Sequence, residues 1–544
     1  MGSAPDTAAA AAPHEDDSSR KTQTLARSAG IVSVATTMSR ILGLVREQVL
    51  LVFFGAGNSL DAFNVAFRLP NLVRDLFAEG AMSAAFVPTF TRELRNNGKE
   101  AAWELGNLVI SGLLVVTGIV SLLGILFAGP LTHWIAQSYA SQPGKLELTT
   151  LLTQIMFPFL TLVAVAVAGM GMLNALRWFF IPALSPAMFN IATILSVFLI
   201  VPVATRLGWN PMVGLAIGTL LGGAAQAALQ WPALRKEGFR FRFQLKPRDP
   251  RLREVLSLML PGTLGLAGVQ INQLVNMWLA TSQGTGKVTY LQFAFRLIYL
   301  PIGLFGVSIA TASLPTIARR AAEEDRPGIR SAVSQGLRMM LMLNVPATFG
   351  LVALATPIIE LLVEYGKVTP DATHGMAVAL LCYAPGLVGY SAVKLLSPTF
   401  YSLRDSRTPV LVSLLSIAVN VTLNLTLVRV MGFGGLALGT GLAALVNATM
   451  LFVLLRKRLD GIEGQRIATA LSKILVASIV MAAVAWGAEH WLSIVWPGHH
   501  LVRRAVRVGL AVGAGVGTLV LMARLLRLQE FERALDSVLK RVRR

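Results

Sequence analysis

The stretch TMSRILGLVREQVLLVFFG, residues 37–55, is long and apolar enough to cross a bilayer, yet it carries Arg40, Arg46 and Glu47. An arginine near the membrane midplane costs roughly 2.5–3.5 kcal/mol even on the lenient insertion scale. Two arginines beside one carboxylate therefore require surroundings other than hydrocarbon.

The whole chain points the same way. Of its 544 residues 54% are hydrophobic and 14% charged, and the mean hydropathy is +0.63, which marks a polytopic membrane protein of all-α class. At about 20 residues per span, fourteen helices are expected. The first six fall near 28–54, 59–78, 104–128, 149–175, 182–204 and 211–234. The remaining eight fall near 254–280, 288–316, 331–362, 375–399, 409–429, 434–455, 467–488 and 505–526. Cys382, the one cysteine, lies in an apolar run and excludes a disulfide framework and a thiol-rich metal site. Residues 1–27, rich in Ala and Ser with HEDD in the middle, lack a secretory h-region and read as a disordered cytoplasmic tail. Asp6 breaks the myristoylation pattern that MGSAPD would otherwise approach.

The net charge of +20 is distributed unevenly. With a cytoplasmic amino terminus, the tails and even-numbered loops hold 32 of the 48 Lys and Arg residues, against seven in the opposite loops. Eight of them stand in RKEGFRFRFQLKPRDPRLR, residues 235–253. Positive loops lie inside, so both termini are expected in the cytoplasm. The excess charge reads as an orientation signal and as contact with anionic lipid headgroups, not as a nucleic-acid surface.

Two segments repeat. GLAIGTLLGGAAQAALQWPALRKE from Gly214 parallels GLALGTGLAALVNATMLFVLLRKR from Gly435, and RWFFIP ending at Pro182 parallels RDSRTP ending at Pro409. The offset spans six helices. An even number keeps the two copies parallel, the arrangement by which transporters place a substrate between lobes. The expected division is a tail at 1–27, an N-lobe at 28–235, a basic linker at 236–253 and a C-lobe at 254–457. Two extra helices at 458–527 and a basic tail at 528–544 complete it.

Charge inside the spans decides the function class. Asp61, Arg68 and Asp75 share one face of helix 2, which Pro70 should kink, while Arg74 points elsewhere. Ion pairing and snorkelling explain residues near span ends, a reading open for Arg74, Arg338, Lys394 and Lys473. Arg40, Arg46 and Arg296 resist it, and for Arg296 no Asp or Glu lies between Ser282 and Leu314. Several such arginines facing lipid would cost on the order of 10 kcal/mol, comparable to the stability of a domain. Lining a hydrated cavity removes that cost. A cavity rich in guanidinium selects anions, and arginine's planar fork suits phosphate oxygens. Ser39, Asn64, Gln270, Asn272, Gln273, Asn276 and Thr289 could read hydroxyls or amides there, or join helices. No paired acidic motif of a metal-dependent prenyl transferase and no GxxxxGK[ST] loop is present. No catalytic residue, metal or cofactor is therefore expected.

The string SRILGLVREQVLLVFFGAGNSLDAFNVAFRLPNLVRDLFAEGAMSAAFVP resembles the amino-terminal signature of the MurJ (MviN) lipid II flippases, of the MATE-like exporter superfamily. VEYGKVT at 363–369 and LSPTFYSLRDSRTPV at 396–410 also fit. The resemblance implies transfer of undecaprenyl-diphosphate-linked disaccharide pentapeptide across the inner membrane for peptidoglycan synthesis. It implies cavity roles for Arg40, Arg46, Arg74 and Arg296, importance for Ser39 and Asp61, and a basic site at Lys394. An acidic position of some relatives is Tyr299 here. The expected partners are lipid II and membrane lipids, with the wall-synthesis machinery a further candidate. The expected mechanism is alternating access, with Pro70, Pro261 and Pro301 as candidate flexing points and the two extra helices as a groove for the prenyl tail. The alternatives are export of another polyprenyl-linked glycan or a membrane-embedded polyprenyl-phosphate transferase.

Overall fold

The computed structural model describes residues 15–78, 81–498, 500–528 and 530–531, with side chains described except at 15–33, 77, 78, 81, 83, 84 and 260–266. His14 and His499, residues 1–14 and most of the basic carboxyl tail lie outside the described residues. Among the described residues there is no strand.

The first half runs α1 (Glu15–Phe54), α2 (Asn58–Ala78), α3 (Ala81–Asn96), α4 (Gly98–Leu126), α5 (Ala128–Ile135), α6 (Lys145–Met156), α7 (Phe159–Ala175), α8 (Phe180–Arg206) and α9 (Pro211–Lys236). The second half runs α10 (Pro250–Thr281), α11 (Lys287–Pro301), a π-helical turn (Ile302–Val307), α12 (Ser308–Ala322), α13 (Arg326–Ala353) and α14 (Ala355–Val363). It continues through α15 (Pro370–Tyr383), α16 (Gly386–Ser402), α17 (Arg407–Met431) and α18 (Phe433–Arg458), followed by α19 (Gly464–Val495) and α20 (Leu501–Leu525).

Several starts follow from local chemistry. Asn210, Asp249 and Thr369 each precede a proline, and each side chain accepts a hydrogen bond from the first turn of its helix. Helix α1 begins at Glu15, earlier than the expected 28. No Gly or Pro interrupts residues 15–29, and the acidic triplet Glu15, Asp16 and Asp17 suits a helix amino terminus.

Among the described residues ten helices are long and apolar enough to span a membrane, or eleven when α15 and α16, bent by 45° at Ala384–Pro385, count as one. The sequence count of fourteen rests on α1, α2 and α10, which fall outside that set. Those three helices carry Arg40, Arg46, Glu47, Asp61, Arg68, Gln270, Asn272, Gln273 and Asn276.

The internal repeat reappears as shared interruptions. Pro158 before α7 and Pro385 before α16 are 227 residues apart, as are Pro130 and Pro357, and Pro88 and Pro315. Neighbour relations repeat as well. Helix α2 packs on α6 as α11 packs on α15, and α8 on α9 as α17 on α18. Helix α3 packs on α4 and α7 as α12 packs on α13 and α16. Helices α19 and α20 pack on each other, and α19 lies along α13.

The cores differ between the two ends of the molecule. At the end bearing the turns near 55–58, 282–286 and 364–369, one cluster joins both halves through Leu50, Leu60, Phe63, Met277, Tyr290, Phe293, Val363 and Leu436. There Lys367 N–H donates to Val52 O at 2.9 Å. Gly366, with φ +61°, permits it, because a Cβ at that position would overlap Val52 O. At the end bearing the basic loops there are two separate cores. One is built on Phe86, Phe90, Trp103 and Phe239 and takes in Val255 and Met259 of α10, packed there on α3; the other is built on Ile317, Ile329, Phe400 and Leu455. Joined at one end and, α10 apart, divided at the other, the halves leave a space between them.

Candidate functional site

That space is a cavity of about 910 Å³ whose wall draws on both halves. From the first half come Ser39, Arg40, Arg46 and Glu47 of α1, Asn64, Arg68 and Asp75 of α2, and Asn190 of α8. From the second come Asn272, Gln273 and Asn276 of α10, Arg296 and Tyr299 of α11, and Lys394 of α16. Five cationic side chains thus face two carboxylates, leaving an excess of three positive charges. In low-dielectric surroundings such an excess favours an anion strongly.

Arg46 and Arg296 share one carboxylate. Arg46 Nη2 lies 2.5 Å from Glu47 Oε1, and Arg296 Nη2 lies 3.2 Å from the same oxygen. Arg46 also lies over the Phe189 ring at 5.1 Å, and its buried Nε has no hydrogen-bond partner among the described residues. One carboxylate cannot saturate the ten N–H donors of two guanidiniums, so donors remain. The Arg296 side chain is 42% exposed although it stands nine residues into the helical run from Lys287 to Ala322, and the space it sees is the cavity. Gly43 makes room for it, since a Cβ there would approach Arg296 Nη1 to 3.2 Å.

Arg40 is seated differently. Its guanidinium lies against Gly303 in the π-helical turn, where a Cβ would overlap Arg40 Nη1. No carboxylate lies within ion-pair distance of Arg40 among the described residues. Neighbouring Ser39 accepts through its carbonyl a bond from Asn190 Nδ2 at 3.2 Å. Lys394 is exposed on the wall of the second half.

Arg68 joins the wall without having been a sequence candidate. Its Nη2 donates to Gln270 Oε1 at 2.9 Å and to Gln273 Oε1, and its Nη1 lies 3.7 Å from Asp75 Oδ2. A sequence signal for it exists. The tetrapeptide AFRL occurs at 66–69 and at 294–297, so Arg68 and Arg296 occupy equivalent places in the two halves.

Four sequence candidates lie outside the cavity wall: Gln270, which binds Arg68, Thr289, which binds Asp61, and the charged Arg74 and Asp61. Arg74 turns to its neighbour, with Nη2 at 2.6 Å and Nε at 3.1 Å from Asp75 Oδ1. Through Asp75, itself on the wall, it borders the site. Asp61 is fully buried at the joined end of the molecule. It accepts from Gly286 N–H at 2.6 Å, from Thr289 N–H at 3.1 Å and from Thr289 Oγ1 at 2.7 Å, while Lys145 Nζ lies 3.5 Å away. Asp61 therefore caps the amino terminus of α11 from the opposite half. Sequence alone could not pair it, because its partners are 84 to 228 residues distant.

Of the candidate flexing points, Pro301 ends α11 at the π-helical turn, where the backbone changes register. Pro70 lies inside an unbroken α2. Pro261 lies within continuous α10, and its side chain is outside the described residues. Among the described residues no three His, Cys, Asp or Glu side chains gather as metal ligands.

The family model for "Lipid II flippase MurJ" matches residues 51–506. A probable lipid II flippase MurJ of Vibrio cholerae is 34% identical over 525 residues, covering 94% of this chain and 98% of that protein. Its counterpart in Bdellovibrio bacteriovorus is 36% identical, covering 90% and 93%. A solved structure of a lipid II flippase MurJ in an inward closed conformation is similar at TM-score 0.74 and 25% identity, over 91% of this chain and 99% of that one. An inward-facing multidrug-resistance MATE transporter shares the fold at TM-score 0.65 and 16% identity, over 79% and 98%. The chain is a multi-pass membrane protein that belongs to the MurJ lipid II flippase family.

Proposed function

We propose that this chain moves lipid II, the undecaprenyl-diphosphate-linked peptidoglycan precursor, from the inner to the outer leaflet of the bacterial cytoplasmic membrane. The observation that carries the reading is the cationic cavity between the halves. A polar head cannot cross hydrocarbon unaided, and a wet, guanidinium-lined chamber replaces its hydration on the way. Arg40, Arg46 and Arg296 hold the diphosphate through the donors that Glu47 leaves free. Arg74, on the far side of Asp75, takes part when that carboxylate shifts. Ser39 and Lys394 contact the head, and the amides on α10 accept its hydroxyls. Sugar and peptide extend toward the divided end of the molecule, while the prenyl chain stays in lipid along α19 and α20, whose outer faces carry exposed apolar side chains.

With the basic loops in the cytoplasm, the cavity opens inward and the joined end faces out. Turning the site outward requires the shared core to part and the Asp61 cap on α11 to release. Closure then joins the two separate cores, with Pro301 and the π-helical turn taking up the bend. A drug-exporting relative of the same fold would need carboxylates for organic cations, and this wall holds two against five cations.

The test is depletion of the native protein in cells complemented by Arg296→Ala or Arg46→Ala, with lipid II assigned to a leaflet by an impermeant degrading enzyme. Lipid II retained in the inner leaflet, with the variants still folded and inserted, supports the reading. Normal outer-leaflet lipid II in both variants would overturn it. Cysteine accessibility at positions 40, 74 and 296 tests the chamber itself: residues closed to reagents from both sides in every condition would mean there is none.

A further inference from the structure

Between α9 and α10 the chain is not helical from Gly238 to Pro247, and it does not loop away from the protein. Phe239 is fully buried beside Trp103 and Trp231. From there the extended backbone runs along the side of α4. Asn107 Nδ2 donates to Arg240 O at 3.2 Å, Arg242 N–H donates to Asn107 Oδ1 at 3.0 Å, and Gln244 N–H donates to Ser111 Oγ at 3.0 Å. Lys246 Nζ then reaches back to Glu104 Oε1 at 2.8 Å.

The depth of this segment is informative. Glu104 is the last charged residue of α4, and Ser111 stands seven residues beyond it, about 10 Å along the axis. The segment therefore dips past the headgroup level toward the acyl chains. Extended backbone at that depth needs partners for its polar groups. Asn107 and Ser111, buried polar residues of α4, supply them.

The sequence from Phe239 to Lys246 alternates apolar and polar residues with period two, the pattern that extended backbone sorts onto opposite edges. Phe241, Phe243 and Leu245 occupy the odd positions, and Phe243 and Leu245 are 59% and 52% exposed. Arg240 and Arg242 occupy the even positions, exposed, with no carboxylate in ion-pair distance among the described residues. Apolar side chains on one edge and unneutralised guanidiniums on the other match a phospholipid, with its acyl chains below and its phosphodiester above.

We propose that residues 239–246 form an interfacial strap that binds anionic phospholipid headgroups and fixes the junction between the two halves to the leaflet. Arg240 and Arg242 hold the phosphodiester oxygens, and Phe241, Phe243 and Leu245 lie among the acyl chains. The strap is separate from the central cavity and does not depend on which polyprenyl lipid that cavity moves.

The test uses the full chain in vesicles of phosphatidylcholine alone and with about 30% phosphatidylglycerol, enough for a negative surface potential. A bimane on Phe243→Cys is expected to be quenched by lipid brominated on the acyl chain and spared by aqueous iodide. Phosphatidylglycerol is expected to raise the melting temperature, and R240Q/R242Q should at least halve that rise without changing the melting temperature in phosphatidylcholine. Quenching by iodide alone would mean a strap open to water, suited to a soluble acidic partner, and would overturn the proposal. An undiminished phosphatidylglycerol effect in R240Q/R242Q would do the same. Should R240Q/R242Q fail to fold, Asn107→Ala, which frees the backbone of the strap, is expected to weaken the quenching by brominated lipid; unchanged quenching then counts against it.

Discussion

Arg504 and Arg296 stand in helices of one membrane protein, and they are arranged oppositely. Arg504 of α20 is 3% exposed and fully engaged. Its Nη1 donates to Glu360 O at 3.2 Å and Glu364 O at 3.4 Å, and its Nη2 lies 2.7 Å from Glu364 Oε1. It closes the carboxyl end of α14, where a helix dipole welcomes a cation. Arg296 shares one oxygen of Glu47 with Arg46 and faces open space. A guanidinium whose donors are filled by its own protein serves the fold; one with donors to spare is available to a ligand.

Substitutions test that contrast. Arg504→Ala strands Glu364 and the end of α14, and breaking such a pair costs about 3–5 kcal/mol. Thermal unfolding in detergent should register most of that loss. An unchanged melting point together with lost transport would erase the distinction between the two residues. Arg296→Ala should leave folding nearly intact and remove about 2–5 kcal/mol of affinity for a phosphorylated head, roughly thirtyfold or more at 1.4 kcal/mol per decade. Binding of lipid II to purified protein measures it, and parity with the unaltered chain would refute the anion reading of the cavity. Arg68→Gln should fall below that. Arg68 already donates to Gln270 and Gln273, so the change removes hydrogen bonds to one charged group, worth about 1.5–3 kcal/mol. An effect equal to that at Arg296 would show that the two repeat-related arginines contribute alike.

The smallest effect is in pH. Asp405, at the start of α17, accepts from Thr408 N–H at 3.0 Å and from Thr408 Oγ1 at 2.8 Å, and Arg458 lies 3.1 Å away. The Thr408 amide, then the Thr408 hydroxyl and Arg458, hold its carboxyl below the usual carboxylate range despite the opposing effect of burial. A lowered value means the stabilisation is present above the ordinary carboxylate pKa and fades as pH falls through the folded value. Melting measured down to pH about 3, below the unfolded carboxylate value of ~3.9, should therefore decline less steeply in Asp405→Asn. Identical slopes would show that this cap carries no acid sensitivity.

Much of this architecture could be read from the chain because local rules govern it. Proline and capping residues mark helix starts, the offset of Pro182 and Pro409 announces the repeat, Arg40 and Arg46 stand out as two guanidiniums beside the single carboxylate of Glu47, and Arg296 is conspicuous because no Asp or Glu lies between Ser282 and Leu314. What escaped depends on contacts made across the fold. The partners of Asp61 lie on α6 and at the start of α11. The pairing of Arg74 with adjacent Asp75 turns on rotamers, which spacing does not encode. Arg68 is legible only through AFRL, a four-residue match far shorter than the segments from Gly214 and Gly435 that mark the repeat.

The π-helical turn at Ile302–Val307 has one more consequence. A π turn holds a surplus residue relative to an α turn. Relaxing it would spin everything beyond it by about 100°, the angle one residue subtends in an α-helix. Arg40 sits in the slot that Gly303 leaves open, so such a spin would carry the slot away and expel the guanidinium. A turn that relaxed in this way would act with the arginine as a detent, giving α1 and the helical run beyond Pro301 a preferred stop in place of a continuous slide.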